Sequence, residues 1–374
     1  MFVEEHLFLQ KDIKIQNSFI MEVADSIDPT DREDIIDATG YMVIPGLVDI
    51  HLHGACMQDT CDGTVQAIKK IAEYEASKGI LAICPTTMTM SENQLEMIAE
   101  SFRNFVQEGQ TNQEASVLGM RLEGPFLSEK KAGAQRKEWI QNPSICLVEA
   151  LQTKSGNQIK IIDIAPELEG AASFVKETKE NYVISMAHTD ADYDQAKSIF
   201  GYGVSHVTHL FNAMNGLHHR NPGPIVAAKE EGASVELICD GIHVHPAVIR
   251  LCFDLFEEEK IVLISDSMRA CGMPDGCYSL GGQEVIVKGK KATLSASNDT
   301  IAGSVTNLYE CMCQAISFGV KPERAIASAS YNPAKVLGVE KSYGVIKKEA
   351  YANLLIVDEK FNIHKIICKG KILE

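Results

Sequence analysis

Short apolar runs, each ending in a polar residue and leading into a stretch with helical spacing, fill the middle of the chain. They lie at 47–53, 80–87, 117–123, 159–165, 183–188, 204–209, 235–240 and 261–266. Their length and their Val, Ile and Leu content predict strands. Between them, 64–78 places Val65, Ile68, Ile71 and Ala72 on one side and stops at Gly79. A second helical stretch, 190–200, starts at Asp190 and ends before Gly201. Eight strand–helix alternations predict an α/β fold, a (β/α)8 TIM-like barrel. A doubly wound open sheet is the alternative, and no Gly-x-Gly-x-x-Gly follows the first strand to favour a dinucleotide site.

The two ends are patterned differently. Residues 2–9 and 13–23 alternate partially, as short strands do, and 28–31 (Asp-Pro-Thr-Asp) marks a turn. Residues 35–44 read as a strand pair broken at Thr39-Gly40, and 353–357 and 362–372 read as strands. Neither end can bury a core alone, so the two are predicted to pair. The domain organisation expected is a small β-sandwich built from 1–45 and 343–374, flanking a barrel over 46–342.

Composition narrows the function. The 374 residues are 45% hydrophobic and 23% charged, ordinary for a globular chain. A net charge of −16 disfavours nucleic acid and anionic membranes as partners. An anionic small substrate would need a local cationic pocket, and His218-His219-Arg220 supplies the one cationic exception. Arg offers a planar fork for phosphate oxygens. The eleven Cys follow no zinc-ribbon or small disulfide-scaffold spacing, and most read as reduced, buried thiols of a cytoplasmic protein. Glu4, Glu5 and Asp12 argue against a signal peptide, and no apolar run approaches the ~18 residues of a spanning helix.

Active sites of such barrels gather at the C-terminal strand ends. There the sequence places His51 and His53, Glu123, His188, His209 and Asp266. Alternation along a strand points His51 and His53 to one side. Imidazoles with carboxylates suit zinc or ferrous iron in a hydrolytic site. A divalent ion acidifies bound water and polarises a carbonyl, and a neighbouring carboxylate shuttles the proton to a leaving nitrogen. Asp266, ending the last strand, is the best placed carboxylate, which implies hydrolysis of an amide or related bond through a tetrahedral intermediate. His243, past the seventh strand, is positioned to contact substrate. His206, His245 and Trp139 read as structural.

The constellation resembles the amidohydrolase superfamily. Pro45-Gly46-Leu47-Val48-Asp49-Ile50-His51-Leu52-His53-Gly54 is similar to its opening motif. Leu122-Glu123-Gly124-Pro125-Phe126-Leu127, Ala187-His188-Thr189, Thr208-His209-Leu210-Phe211-Asn212-Ala213-Met214, Asp240-Gly241-Ile242-His243 and Ser265-Asp266-Ser267 follow in order. Together these resemble the N-acetylglucosamine-6-phosphate deacetylase family over nearly the whole chain. The resemblance implies metal-dependent hydrolysis of N-acetyl-D-glucosamine 6-phosphate to glucosamine 6-phosphate and acetate in amino-sugar catabolism.

It also implies roles. Glu123, His188 and His209 match the shared metal ligands, and Asp266 the catalytic acid/base. His51 and His53 match the extra ligands of members that hold two metals, with Glu123 bridging, so two divalent ions per chain, zinc or iron, are expected. Ala134, Gln135, Asn212, Ala213, Arg220, Asp240 to His243, and Ile301, Ala302 and Gly303 match substrate-binding positions. Some members have His where Gln135 stands, and an amide donates a hydrogen bond without carrying charge. A homodimer or higher homo-oligomer is expected. Alternatives are the galactosamine epimer as substrate, a cyclic amide as substrate, or an inactive barrel serving as a binding module. Cyclic amidases commonly use a carbamylated Lys ending the fourth strand, where this chain has Ala165-Pro166. Inactive relatives usually lose ligands, and all six positions are present here.

Overall fold

Parallel strands form the centre of the computed structural model, which describes residues 2, 6–30, 34–297 and 300–373. They are Leu47–Leu52, Ile80–Thr87, Met120–Leu122, Ile159–Ile164, Val183–Met186, His206–Val207, Ser234–Ile238 and Ile261–Ile264. Each pairs with the next in parallel. The seam between the eighth and the first is bridged where the Asp266 N–H donates to the His51 carbonyl at 2.9 Å. The result is a nearly closed barrel with helices outside.

Local chemistry explains the alternation. Thr64 caps helix Val65–Ser77, its hydroxyl accepting the Ala67 N–H at 3.1 Å, and Ala67, Ile68, Ile71 and Ala72 are buried against the strands. The second anticipated helix begins later than Asp190. Asp192 caps Tyr193–Tyr202 through the Gln195 N–H at 2.9 Å, while Asp190 takes Lys130 at 2.9 Å. Val48, Ile50, Ala82, Cys84, Ile161, Ile238, Val262 and Ile264 form a separate apolar cluster contributed by the barrel strands. Burying each branched side chain contributes about 1.5–3 kcal/mol.

The chain ends do pair. Met42–Pro45 lies antiparallel to Leu354–Val357, which pairs Ile363–Cys368, which pairs Lys371–Ile372. The hairpin Asp12–Gln16/Phe19–Ala24 docks beside them, with Ile20 N–H donating to Ala350 O at 2.9 Å. Ile20, Ile346, Ala352, Leu354, Ile356 and Ile367 fill the space between.

Three expectations need correction. In 35–44 only Met42–Pro45 is strand. The Thr39 N–H turns onto the Asp37 carboxylate at 2.9 Å and the Tyr41 N–H onto Ala38 O at 3.0 Å, which breaks the first half into turns. In 2–9 the described residues contain only an isolated Phe2–Phe8 bridge; residues 3–5, and Asp31 of the anticipated turn, lie outside the described residues. The sixth strand is cut to His206–Val207 because the backbone bends at His209. A feature not anticipated is an antiparallel sheet, Gly276–Leu280, Gln283–Lys288 and Lys291–Leu294, inserted after the eighth strand.

Candidate metal centre

A cavity of about 410 Å³ opens at the C-terminal ends of the strands. His53, Glu123, His188, His209 and Asp266 line it, and His51 stands behind them, fully buried. Glu123 Oε1 is 3.0 Å from His209 Nε2, 3.2 Å from His188 Nε2 and 3.5 Å from His51 Nε2. Its Oε2 is 3.2 Å from His53 Nε2. Asp266 Oδ1 lies 3.2 Å from His53 Nε2 and 3.6 Å from His51 Nε2. Two buried groups result: His51, His53 and Asp266, and Glu123, His188 and His209. Glu123 touches histidines of both.

Strand alternation alone does not aim these side chains. His188, His209 and Asp266 have φ of +42°, +27° and +48°, in the left-handed region that costs a non-glycine residue about 1–3 kcal/mol. The strain turns the end-of-strand residues toward one another. Two glycines beside ligands are fixed by close approach. A Cβ on Gly124 would lie 2.0 Å from Thr89 Oγ1, and one on Gly54 would lie 2.1 Å from Gln58 O.

The donor set fits a pair of divalent ions. His51 Nε2 is buried without a hydrogen-bond partner, and the Nε2 atoms of His188 and His209 face each other at 3.1 Å. The opposite nitrogens of three rings are engaged, His51 Nδ1 with Glu236 Oε2 at 3.0 Å, His53 Nδ1 with Thr86 O at 3.2 Å and His188 Nδ1 with Lys131 O at 2.8 Å, while His209 Nδ1 is buried without a partner. Carbonyl and carboxylate partners keep the proton on Nδ1 and leave the Nε2 lone pair facing the carboxylates, as metal-ligating imidazoles require.

Electrostatics agree. Burial opposes a charged His51, as does Arg121, yet Glu123, Glu236 and Asp266 outweigh both and raise its pKa to about 9. Burial likewise opposes charge on His53 and His188, and the adjoining carboxylates override it. Burial favours a neutral Glu123, but His51 and hydrogen bonds from His188 and His209 hold it well below the usual carboxylate range. Asp266 is lowered in the same sense, its burial outweighed by His51 and His53. Carboxylates that hold protons on three imidazoles can hold metal cations in their place.

The anticipated substrate positions divide. Ala134, Gln135, Asn212, Ala213, His243, Ile301 and Gly303 line the cavity, with Lys130, Lys131 and Leu280. Asp240 sits behind His243, its Oδ2 at 2.7 Å from His243 Nδ1; burial disfavours a charged His243, and Asp240 raises its pKa nonetheless. Ala302 is buried beside the lining. Arg220 is exposed, outside the lining, with its guanidinium 2.7 Å from His219 Nε2. The Gln135 amide is committed internally: Nε2 donates to Glu123 Oε2 at 2.7 Å and Oε1 accepts the Thr89 N–H at 2.6 Å. The inserted sheet clamps this loop, as Gln283 Nε2 donates to Ala134 O at 2.6 Å and Arg136 to Gly282 O at 2.7 Å.

Sequence reasoning missed Arg121, Asp163 and Glu236, all fully buried behind the ligands. The signal was available: Met120-Arg121-Leu122 and Val235-Glu236-Leu237 each carry a charge in mid-strand.

The amidohydrolase family model matches residues 42–373. The chain is 37% identical to N-acetylglucosamine-6-phosphate deacetylase of Bacillus subtilis, across 88% of this chain and 84% of that protein. It is 32% identical to N-acetylgalactosamine-6-phosphate deacetylase of Escherichia coli O157:H7, across 90% and 89%. A structure of the Mycobacterium smegmatis N-acetyl-D-glucosamine-6-phosphate deacetylase, a variant in complex with N-acetyl-D-glucosamine-6-phosphate, superposes with a TM-score of 0.89 at 27% identity, covering 96% and 94% of the two chains.

Proposed function

The chain belongs to the amidohydrolase family, and from that premise we propose that it hydrolyses the N-acetyl group of N-acetyl-D-glucosamine 6-phosphate, giving glucosamine 6-phosphate and acetate. The observation that carries this is Glu123, whose carboxylate touches both buried ligand groups at the floor of a cavity large enough for a sugar phosphate.

Two divalent ions, zinc or iron, would be held by His51, His53 and Asp266 and by His188 and His209, with Glu123 shared between them. When bound they supply Lewis acidity, lowering the pKa of water and polarising the acetyl carbonyl. Asp266, ionised and facing the cavity, takes the proton of the attacking water on its carboxylate and returns it to the sugar nitrogen as the amide breaks. His243, tied to Asp240 through Nδ1, presents Nε2 to the substrate carbonyl or hydroxyls. Ala134, Asn212, Ala213, Ile301 and Gly303 shape the walls. Gln135 lines the cavity and acts on Glu123 through its Nε2 hydrogen bond.

The 6-phosphate is assigned to Arg220, an exposed guanidinium outside the cavity lining whose contact is with His219; the lining cations Lys130 and Lys131 both lie near Asp190. The free thiol state of all eleven Cys fits a cytoplasmic setting. Among the described residues no helix is long and apolar enough to cross a membrane. A homodimer or larger homo-oligomer is proposed, to be read by light scattering.

The E. coli relative favours one second reading, the galactosamine epimer. Metal-reconstituted protein should be offered both epimeric N-acetyl sugar phosphates and acetate release followed. Faster turnover of the glucosamine epimer supports the proposal, faster turnover of the galactosamine epimer supports the second reading, and release from neither sinks both. Elemental analysis should find two ions in the saturated protein and about one after the double change His51→Asn and His53→Asn.

A further inference from the structure

Behind the ligand side chains, inside the barrel, lies a cluster of charges that the reaction scheme above does not use. Glu236 Oε2 is 3.0 Å from His51 Nδ1 and accepts the His209 N–H at 3.1 Å. Its Oε1 accepts from Arg121 and is 2.9 Å from His206 Nε2. Arg121 also donates to both oxygens of Asp163 at 3.1 and 2.9 Å and to Thr208 Oγ1 at 2.8 Å. All of these side chains are buried.

We propose that Glu236, held by Arg121, is a positioning residue: it fixes His51 as the Nδ1–H tautomer with Nε2 open toward His53 and Asp266, and thereby sets the affinity for the divalent ion on that side. The inference rests on the two-ion reading. Its logic is a donor count. Arg121 and the His209 N–H can only donate, and they meet different oxygens of Glu236. Both oxygens must therefore accept. As the carboxylate ion-paired with Arg121, Glu236 has no proton to give at Oε2, so in the neutral ring His51 Nδ1 carries it. The remaining nitrogen, Nε2, is the atom left without a hydrogen-bond partner. Glutamine cannot substitute. Whichever way its amide is turned, its NH2 meets an obligate donor. If that NH2 faces His51, the ring must accept at Nδ1 and protonate Nε2, which removes the ligand lone pair.

The test uses the zinc-loaded protein in a series of buffered free-zinc concentrations. Wild type should bind two ions per chain. Glu236→Gln should weaken one of them about 10- to 100-fold, the range for loss of an outer-shell partner, and the other, which Glu236 reaches only through the His209 backbone N–H, by clearly less. Ser185→Ala alters the same cluster through the Ser185–Thr208 contact of 2.6 Å without touching Glu236, and should keep both. Two ions at wild-type affinity in Glu236→Gln, or equal weakening of both ions, overturns the proposal. One ion in wild type overturns the two-ion reading instead. Should Glu236→Gln not fold, ¹⁵N-histidine spectra of the zinc-loaded wild type decide. A proton on His51 Nδ1 supports the proposal, and a bare Nδ1 contradicts it.

Discussion

Replacing Arg121 by Met removes the one cation between Asp163 and Glu236. Both carboxylates are fully buried, Asp163 taking two Arg121 N–H groups and Glu236 a third. The variant also removes a donor from the Ile50 carbonyl, which Arg121 approaches at 3.2 Å, and one from Thr208 Oγ1, which keeps Ser185 and Asp163. Breaking a buried ion pair by deleting one partner costs about 3–5 kcal/mol, because the partner charge stays behind. For 374 residues, at about 2.1 cal/mol/K of unfolding entropy per residue, that is a fall of about 4–6 °C in Tm. Differential scanning calorimetry should be run on chelator-treated protein, so that a loosened metal does not add to the shift. Adding Asp163→Asn to Arg121→Met should recover part of the loss, since it removes a stranded charge. A Tm within 1 °C of wild type, or a double variant that falls by the sum of the two single changes, would show that Arg121 does not neutralise the two carboxylates.

Asp266→Asn should keep the fold and most of the metal, and should lower kcat by about 10²–10⁴-fold, the scale of general acid–base groups; turnover within tenfold of wild type would remove Asp266 from the proton path. Gln135→Leu deletes the hydrogen bond to Glu123 and leaves the Thr89 N–H without its acceptor, so thermal unfolding should show a loss of about 1.5–3 kcal/mol. An unchanged Tm would mean that the loop holds itself. Arg220→Ala should raise KM for the phosphorylated sugar about 10- to 150-fold, the equivalent of a charge-assisted contact, with little effect on free N-acetylglucosamine. An unchanged ratio of kcat/KM for the two substrates would pass the phosphate to Lys130 and Lys131.

Eight strands and the two chain ends were legible because apolar runs of period-two and buried-strand character repeat at regular spacing, and that signal is local. The ligands were legible because strand ends in a barrel share one face. Three things were not. The left-handed backbone at His188, His209 and Asp266 has no signature in residue type, since strain of this kind is imposed by the surroundings. The role of Gln135 depends on a loop held by the sheet at Gly276–Leu294, a tertiary contact that no local pattern predicts. Arg220 reads as a phosphate fork from its chemistry and its nearness in sequence to the sixth strand, but that nearness did not bring it into the cavity lining.

In the proposed reaction, water activated at the site of Glu123 and Asp266 attacks an acetyl amide of a sugar phosphate. Its most direct test is one incubation of metal-reconstituted protein with N-acetyl-D-glucosamine 6-phosphate in ¹⁸O-water, with both products followed by mass spectrometry. Acetate should carry a single ¹⁸O and be released in equal amount with glucosamine 6-phosphate. Unlabelled acetate, or no acetate at all from fully metallated protein, would contradict this hydrolysis.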